Sequence, residues 1–157
     1  MSKSLARVCA ALKATNIAAQ PIEMAAETRT ALQAAEAAGC DLDQIVKSIL
    51  FAGTAGQLYL FLTAGGNRVD VSRASALAGE ALGRADVAQV RKITGFAIGG
   101  VAPIGHLTPL PIWLDQRLLD FAEVWAAAGT PRHIFPIAPQ DLLRITGAKS
   151  AEFSQIS

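Results

Sequence analysis

"SILFAGTAGQLYLFLTAG", residues 48–65, is the stretch that decides the fold. Two apolar runs, "SILFAG" and "QLYLFLTAG", flank "GTAGQ", whose glycines and small residues suit a turn. The pair reads as two buried strands. Just upstream, Asp41 or Asp43 is placed to cap a short helical turn through "QIVKS", which sets Lys47 at the entrance to the sheet.

Working outward toward the N-terminus, Thr30 and Gln33 stand at capping-box spacing ahead of "ALQAAEAAG". This predicts a helix over 30–38 that stops at Gly39. "AQPIEM" reads as a short edge strand beginning near Pro21. Leu5, Val8, Cys9 and Leu12 recur at helical spacing, with Lys3, Arg7 and Lys13 outside the stripe, so 4–15 should be an amphipathic helix with Cys9 on its core side.

Toward the C-terminus, "GNRVDVSR" turns at Gly66 and Asn67, and Ser72 is placed to cap a helix carrying Ala76, Leu77, Ala78 and Leu82. A further helix in "ADVAQVRKITG" should end at Gly95. In "FAIGGVAPIGH", residues 96–106, Phe96 to Ile98 read as a strand that enters a turn at Gly99 and Gly100. "PIWLD" is a strand behind Pro111, "FAEVWAAAG" and "RHIFPIA" form a hairpin, and "PQDLLRITG" opens a last helix with proline in its first turn. Strands outnumber crossover helices. The fold class expected is α+β, a mixed, largely antiparallel sheet with helices packed around it.

The 157 residues suit one domain, 1–157, and 52% hydrophobic against 17% charged residues is a globular composition. A net charge of +1 excludes a basic nucleic-acid coat while permitting a local cationic cleft. Cys9 and Cys40 match no disulfide or zinc spacing. "MSKSLARVCAALKAT" is broken by charges and is no secretory signal, and the longest apolar run, "LYLFL", is far below the ~20 residues of a membrane span. These features lead to an expectation of a reduced, cytoplasmic protein with no membrane association.

Several residues admit both a functional and an ordinary role. Lys47 is a single cation in an apolar run, where lysines commonly extend their methylenes to reach water. Gly99 and Gly100 fit neither a dinucleotide nor a Walker A loop, which leaves a plain turn or a backbone-lined site able to hold a carbonyl or oxyanion. His106, beside that loop, is either an acid, base or substrate contact or a solvated turn histidine, and His133 belongs on the hairpin surface. No histidine and carboxylate spacing supports a metal site, and no G-x-S-x-G elbow supports a covalent nucleophile. Asp115 either orients a ligand or caps the next turn. Arg68, Arg73, Arg84, Arg91 and Lys92 form either a phosphate-reading face or solvated helix charge.

Four motifs in order, "IVKSILF" at 45–51, "RVD" at 68–70, "TGFAIGGVAPIGH" at 94–106 and "PIWLD" at 111–115, resemble the YbaK/ProX family. These are free-standing relatives of the editing insertion of bacterial prolyl-tRNA synthetase, and the resemblance runs from about Thr28 to Ala148. It implies a trans-editing hydrolase that removes a small wrong amino acid (cysteine, alanine, serine or 2-aminobutyrate) from tRNA, most often tRNA for proline. The family's invariant lysine falls on Lys47, and its G-x-x-x-P loop on Gly99 and Pro103.

With that carry-over the catalytic set expected is Lys47, Gly99, Gly100 and Val101, the loop N–H groups holding the oxyanion, and the substrate contacts expected are Thr28, Pro103, Gly105, His106 and Asp115. The resemblance implies no cofactor and no metal, because an aminoacyl ester is already activated and the substrate's own 2′-hydroxyl can help position water. Implied partners are the 3′ aminoacyl-adenosine end of a misacylated tRNA and a delivering prolyl-tRNA synthetase, with no DNA. The loop is more similar to the Cys-tRNA(Pro) deacylase branch than to the alanine-specific one, with a departure at His106. A rival class is a non-catalytic module that binds a tRNA end, nucleotide or partner in the same cleft. A metal hydrolase using His106 is a third reading, which a chelator would expose.

Overall fold

The computed structural model describes residues 2–156. Its centre is the hairpin β2 (Ile45–Ala52) and β3 (Leu58–Ala64), antiparallel in the register Val46 with Ala64 through Ala52 with Leu58. Every residue of β3 is buried, because the strand is covered on both faces. Leu58, Leu60, Leu62 and Ala64 point into one layer with Leu5, Val8, Leu12, Val90, Phe96 and Leu142. Tyr59 and Phe61 point into the other, where Phe61 stacks on Trp113 with ring centroids 5.1 Å apart and meets Phe153 edge-on. A strand buried on both sides has no polar alternation to show.

Around this hairpin lie β1 (Ile22–Glu23), β4 (Gly83–Arg84), β5 (Ile112–Asp115), β6 (Val124–Ala127), β7 (His133–Ile137) and β8 (Lys149–Ala151). The sheet runs β1-β7-β6-β2-β3-β5-β8, with β4 pairing β2 off that path. Pairs β1–β7, β2–β3, β2–β4 and β6–β7 are antiparallel, whereas β2–β6, β3–β5 and β5–β8 are parallel. The α+β class and the mixed sheet expected from the sequence are what the chain adopts. β4 (Gly83, Arg84) and β8 (Lys149, Ser150, Ala151) carry no β-branched or aromatic residue that would signal a strand.

Helices α1 (Lys3–Ala14), α4 (Val87–Thr94) and α5 (Pro139–Thr146) supply Leu5, Val8, Leu12, Val90 and Leu142 to one face of the sheet. Helices α2 (Ala31–Ala38) and α3 (Val71–Ala78) cover the other face through Ala34, Ala35 and Ala74. The Thr30–Gln33 capping box forms as expected and Gly39 closes α2 at φ +68°. Cys9 is only half-buried against the α1 side of the core.

Three local expectations are corrected. The turn capped by Asp41 spans Leu42–Gln44 only. Ile45 and Val46 are β-branched and already strand, so "QIVKS" is mostly sheet. Asp70, not Ser72, caps α3, its Oδ1 accepting from Ser72 N at 2.9 Å, and Gly79 ends that helix before Leu82. Phe96 to Ile98 form no strand. Phe96 is buried as a core anchor, Ala97 O accepts from Gly100 N in a turn, and the returning loop ties to the end of α4 through Leu107 N to Thr94 O and Thr108 N to Ile93 O. No helix among the described residues is long and apolar enough to cross a membrane.

Candidate functional site

One edge of β2 is zipped to β3 along its whole length, but the other edge is shared. β6 pairs it at Ile45 and Val46, β4 pairs it at Phe51 and Ala52, and among the described residues no strand pairs Lys47 to Leu50 there. The turn bond Gly53 N to Gln57 O fixes the phase of the β2–β3 ladder, so odd-numbered residues of β2 bond to β3. The main-chain groups of Ser48 and Leu50 are therefore left on the open edge. The sheet is split at this point, and a cleft of ≈ 540 Å³ occupies the split.

Lining the cleft are Thr28 to Ala31 and Ala34 from α2 and its approach, Ile45 to Leu50 from β2, Arg84 and Ala85, Val90 of α4, Ile98, Gly99 and Val101 of the glycine loop, and Trp125 to Ala127 with Ile134. Most of these side chains are apolar. The charged lining residues among those described are Arg29, Lys47 and Arg84, all cationic, with the Glu27 carboxylate paired to Arg29 just outside the lining. An apolar pocket with a cationic rim suits a small, partly apolar group attached to an anion.

The paired glycines have separate physical reasons. Gly100 N donates to Ala97 O at 3.1 Å across a turn whose third residue, Gly99, has φ +94°, the conformation a type II turn reserves for glycine. Gly100 lies against the neighbouring hairpin: a Cβ there would stand 2.9 Å from the main-chain carbon of Thr130. Because its N–H is committed to Ala97, Gly100 cannot donate to a ligand. The N–H groups of Gly99 and Val101 meet no acceptor among the described residues. Arg29, paired through Nε with Glu27 at 3.0 Å, lies over Gly99 and covers the loop.

Lys47 projects from β2 on the α2 side, and its amine donates to the main-chain carbonyl of Asn67. Burial pulls its pKa below the ordinary lysine value and Arg68 pushes the same way, against the opposing pull of Asp115 and Asp43. Thr28 lines the cleft while its N and Oγ1 both donate to Pro131 O, at 2.6 and 3.0 Å, which pins this segment to the β6–β7 hairpin.

The remaining sequence candidates lie elsewhere. Pro103, Gly105 and His106 line a separate cavity of ≈ 240 Å³ beside α1 and α5. His106 Nε2 is 2.7 Å from Ala102 O, and burial lowers its pKa despite that bond. Asp115 is 4% exposed and caps the turn after β5, with Oδ1 accepting from Arg117 N and Oδ2 from Ala64 N and Asn67 Nδ2 at 2.9–3.0 Å. Of the basic residues, Arg84 reaches the cleft and Arg73 faces a third cavity. His133 is part-buried, with Nδ1 2.6 Å from Thr130 Oγ1.

Sequence reasoning passed over Arg29 and Ser48. Ser48 was detectable from strand alternation, since it is the one hydroxyl among Val46, Leu50 and Ala52 on that face.

Residues 25–145 match the profile of the aminoacyl-tRNA editing domain. The uncharacterized protein YwhH of Bacillus subtilis (strain 168) is 30% identical over 127 residues, 81% of each chain. The crystal structure of a candidate trans-editing enzyme for prolyl-tRNA synthetase superposes with a TM-score of 0.93 at 48% identity, covering 99% of both chains. The hypothetical protein APE2540 superposes at 0.88 with 28% identity, over 95% of this chain and 99% of the other.

Proposed function

The chain belongs to the aminoacyl-tRNA editing domain family, as its YbaK/ProX-like motifs indicated, and from that premise we propose that it hydrolyses the ester of a misacylated tRNA in the cleft of the split sheet. The observation that carries this is the junction of an apolar pocket, an unpaired strand edge and a rim whose charges are all cationic. A small aminoacyl group fits the first, the second offers it main-chain hydrogen bonds, and the tRNA's terminal phosphate meets the third.

In this reaction water adds to the ester carbonyl, the carbonyl oxygen gathers negative charge, and the bond to the ribose oxygen breaks. The proton released by water ends on that oxygen, giving free amino acid and uncharged tRNA. The donors free to meet the developing charge are the N–H groups of Gly99 and Val101, since Gly100 N–H is already spent on Ala97. Lys47 exchanges Asn67 O, a neutral acceptor, for a ribose or phosphate oxygen of the substrate and so orders the tRNA end. Arg29 and Arg84 attract the phosphates. The ribose 2′-hydroxyl supplies the positioning of water that no side chain here provides.

Small amino acids on tRNA for proline are the substrates expected, in the cytoplasm, with prolyl-tRNA synthetase as the delivering partner. The test is to incubate the protein with tRNA for proline charged in turn with alanine, cysteine, serine, 2-aminobutyrate and proline, with and without chelator. Chelator-insensitive loss of a misacylated ester, sparing the prolyl ester, is the expected result. A folded protein that hydrolyses none of them would leave the same cleft as a binding module.

A further inference from the structure

We propose that the Ser48 hydroxyl selects the side chain of the bound aminoacyl group, favouring one that ends in a hydroxyl or thiol over one of equal size that ends in a methyl. This rests on the editing-site reading above. Alternation along β2 puts Ser48 on the same face as Val46 and Leu50, toward the layer that holds Val90 and Val101. These neighbours line the cleft with it and have no polar side-chain atom. Ser48 Oγ is buried there and has no hydrogen-bond partner.

Buried hydroxyls are nearly always paired, so an unpaired one on a residue that lines a ligand-sized cleft points to a partner on the ligand, met by rotation of its single χ1. The other hydroxyls of the cleft are already engaged. Thr28 Oγ1 donates to Pro131 O, and Thr30 Oγ1 accepts from Gln33 N to cap α2. Lys47, next along the strand, projects from the opposite face.

Seryl and 2-aminobutyryl groups are nearly isosteric and differ by a hydroxyl in place of a methyl. A hydroxyl or thiol would pair with Ser48, whereas the methyl would leave it unpaired as it stands, so the preference is the worth of the bond gained. An alanyl group has no γ atom to pair with the hydroxyl and falls with the rejected class.

The experiment measures single-turnover hydrolysis of seryl-, cysteinyl-, 2-aminobutyryl- and alanyl-tRNA for proline by the wild type and by Ser48→Ala, with melting curves to confirm that the variant folds. The wild type should favour the seryl over the 2-aminobutyryl ester by about tenfold, the effect of one neutral hydrogen bond. Ser48→Ala should lose that preference and hold its 2-aminobutyryl rate within about twofold. Equal loss on all four esters would assign Ser48 to a part common to every substrate, such as the α-amino group, and would overturn the proposal. No change on any ester would overturn it too.

Binding of the stable amides 3′-seryl- and 3′-(2-aminobutyryl)-amino-3′-deoxyadenosine, followed by calorimetry on the same two proteins, separates the two claims. A seryl preference that disappears in Ser48→Ala, in a protein that hydrolyses no ester, supports the Ser48 assignment and rejects the deacylase reading. Binding of neither amide rejects the Ser48 assignment.

Discussion

Adding one methyl at Gly100 should cost both stability and catalysis, and the size of each loss follows from the hairpin it touches. A Cβ at Gly100 would lie 2.9 Å from Thr130 C and 3.0 Å from its Cα and N, whereas ordinary contact begins at 3.4 Å, so the two main chains must separate by about 0.5 Å. Thr130 is poorly placed to yield, because its Oγ1 is held 2.6 Å from His133 Nδ1 and accepts from Arg132 N at 3.2 Å. The loop therefore moves, carrying Gly99 and Val101 with it. Overpacking of this kind costs about 1–3 kcal/mol, which in a chain of this size lowers Tm by roughly 3–10 °C. A displacement approaching 1 Å at reacting groups is worth up to about 100-fold in rate, so Gly100→Ala should lose on the order of 10- to 100-fold in kcat/KM. Gly147→Ala is the control. Its φ of +68° strains alanine, yet nothing lies within 4 Å of the added Cβ, and the residue closes α5 away from the cleft. It should lose about 1–2 kcal/mol with unchanged kcat/KM. Calorimetric melts and ester hydrolysis below both melting temperatures read the two quantities. A Gly100→Ala protein with wild-type Tm and rate, or a Gly147→Ala protein with the same loss of rate, would refute the reasoning.

Arg29→Ala and Arg84→Ala should each raise KM for charged tRNA and together flatten its dependence on salt, as seen in hydrolysis rates across a salt series. Stability should change by less than about 1 kcal/mol, because the Arg29–Glu27 pair is half-exposed. Asp115→Ala orphans the buried Ala64 N–H and should cost about 1–3 kcal/mol in urea unfolding. It should keep its hydrolysis rate where folded, since Asp115 does not line the cleft. His106 has a folded pKa below its ordinary 6.5, so the unfolded chain takes up the proton first. Its contribution is fully present above 6.5 and lost as pH falls through the folded pKa. Melting curves taken from neutral to about pH 5 should show this decline reduced in His106→Gln.

What the sequence could reveal was set by the range of the interactions involved. The β2–β3 hairpin, the Thr30–Gln33 capping box and the proline-to-glycine span of α5 are each fixed by neighbours in the chain, and all were legible. The split in the sheet was not. It arises because β6 and β4, more than thirty residues from β2 and on opposite ends of it, share one edge without meeting. For the same reason Lys47, Gly99 and Thr28 could be named separately, while their meeting in one cleft could not be read from spacing. His106 and Pro103 are near Gly99 in sequence, but after the Ala97–Gly100 turn the chain runs back along α4 and carries them to another cavity. Phe96 illustrates a further limit: an apolar residue before a turn looks like a strand end whether it pairs with a sheet or only anchors a loop.

The central claim is that the split between β6 and β4 receives the aminoacyl end of tRNA. Its most direct test is to titrate the seryl amide of 3′-amino-3′-deoxyadenosine into isotope-labelled protein and follow backbone amide resonances. Concerted shifts at Ser48, Leu50, Gly99, Val101 and Ala127, with Gly105 and His106 unmoved, are the result expected. Shifts centred on Gly105 and His106, or on the Asp115 side of the sheet, would contradict it.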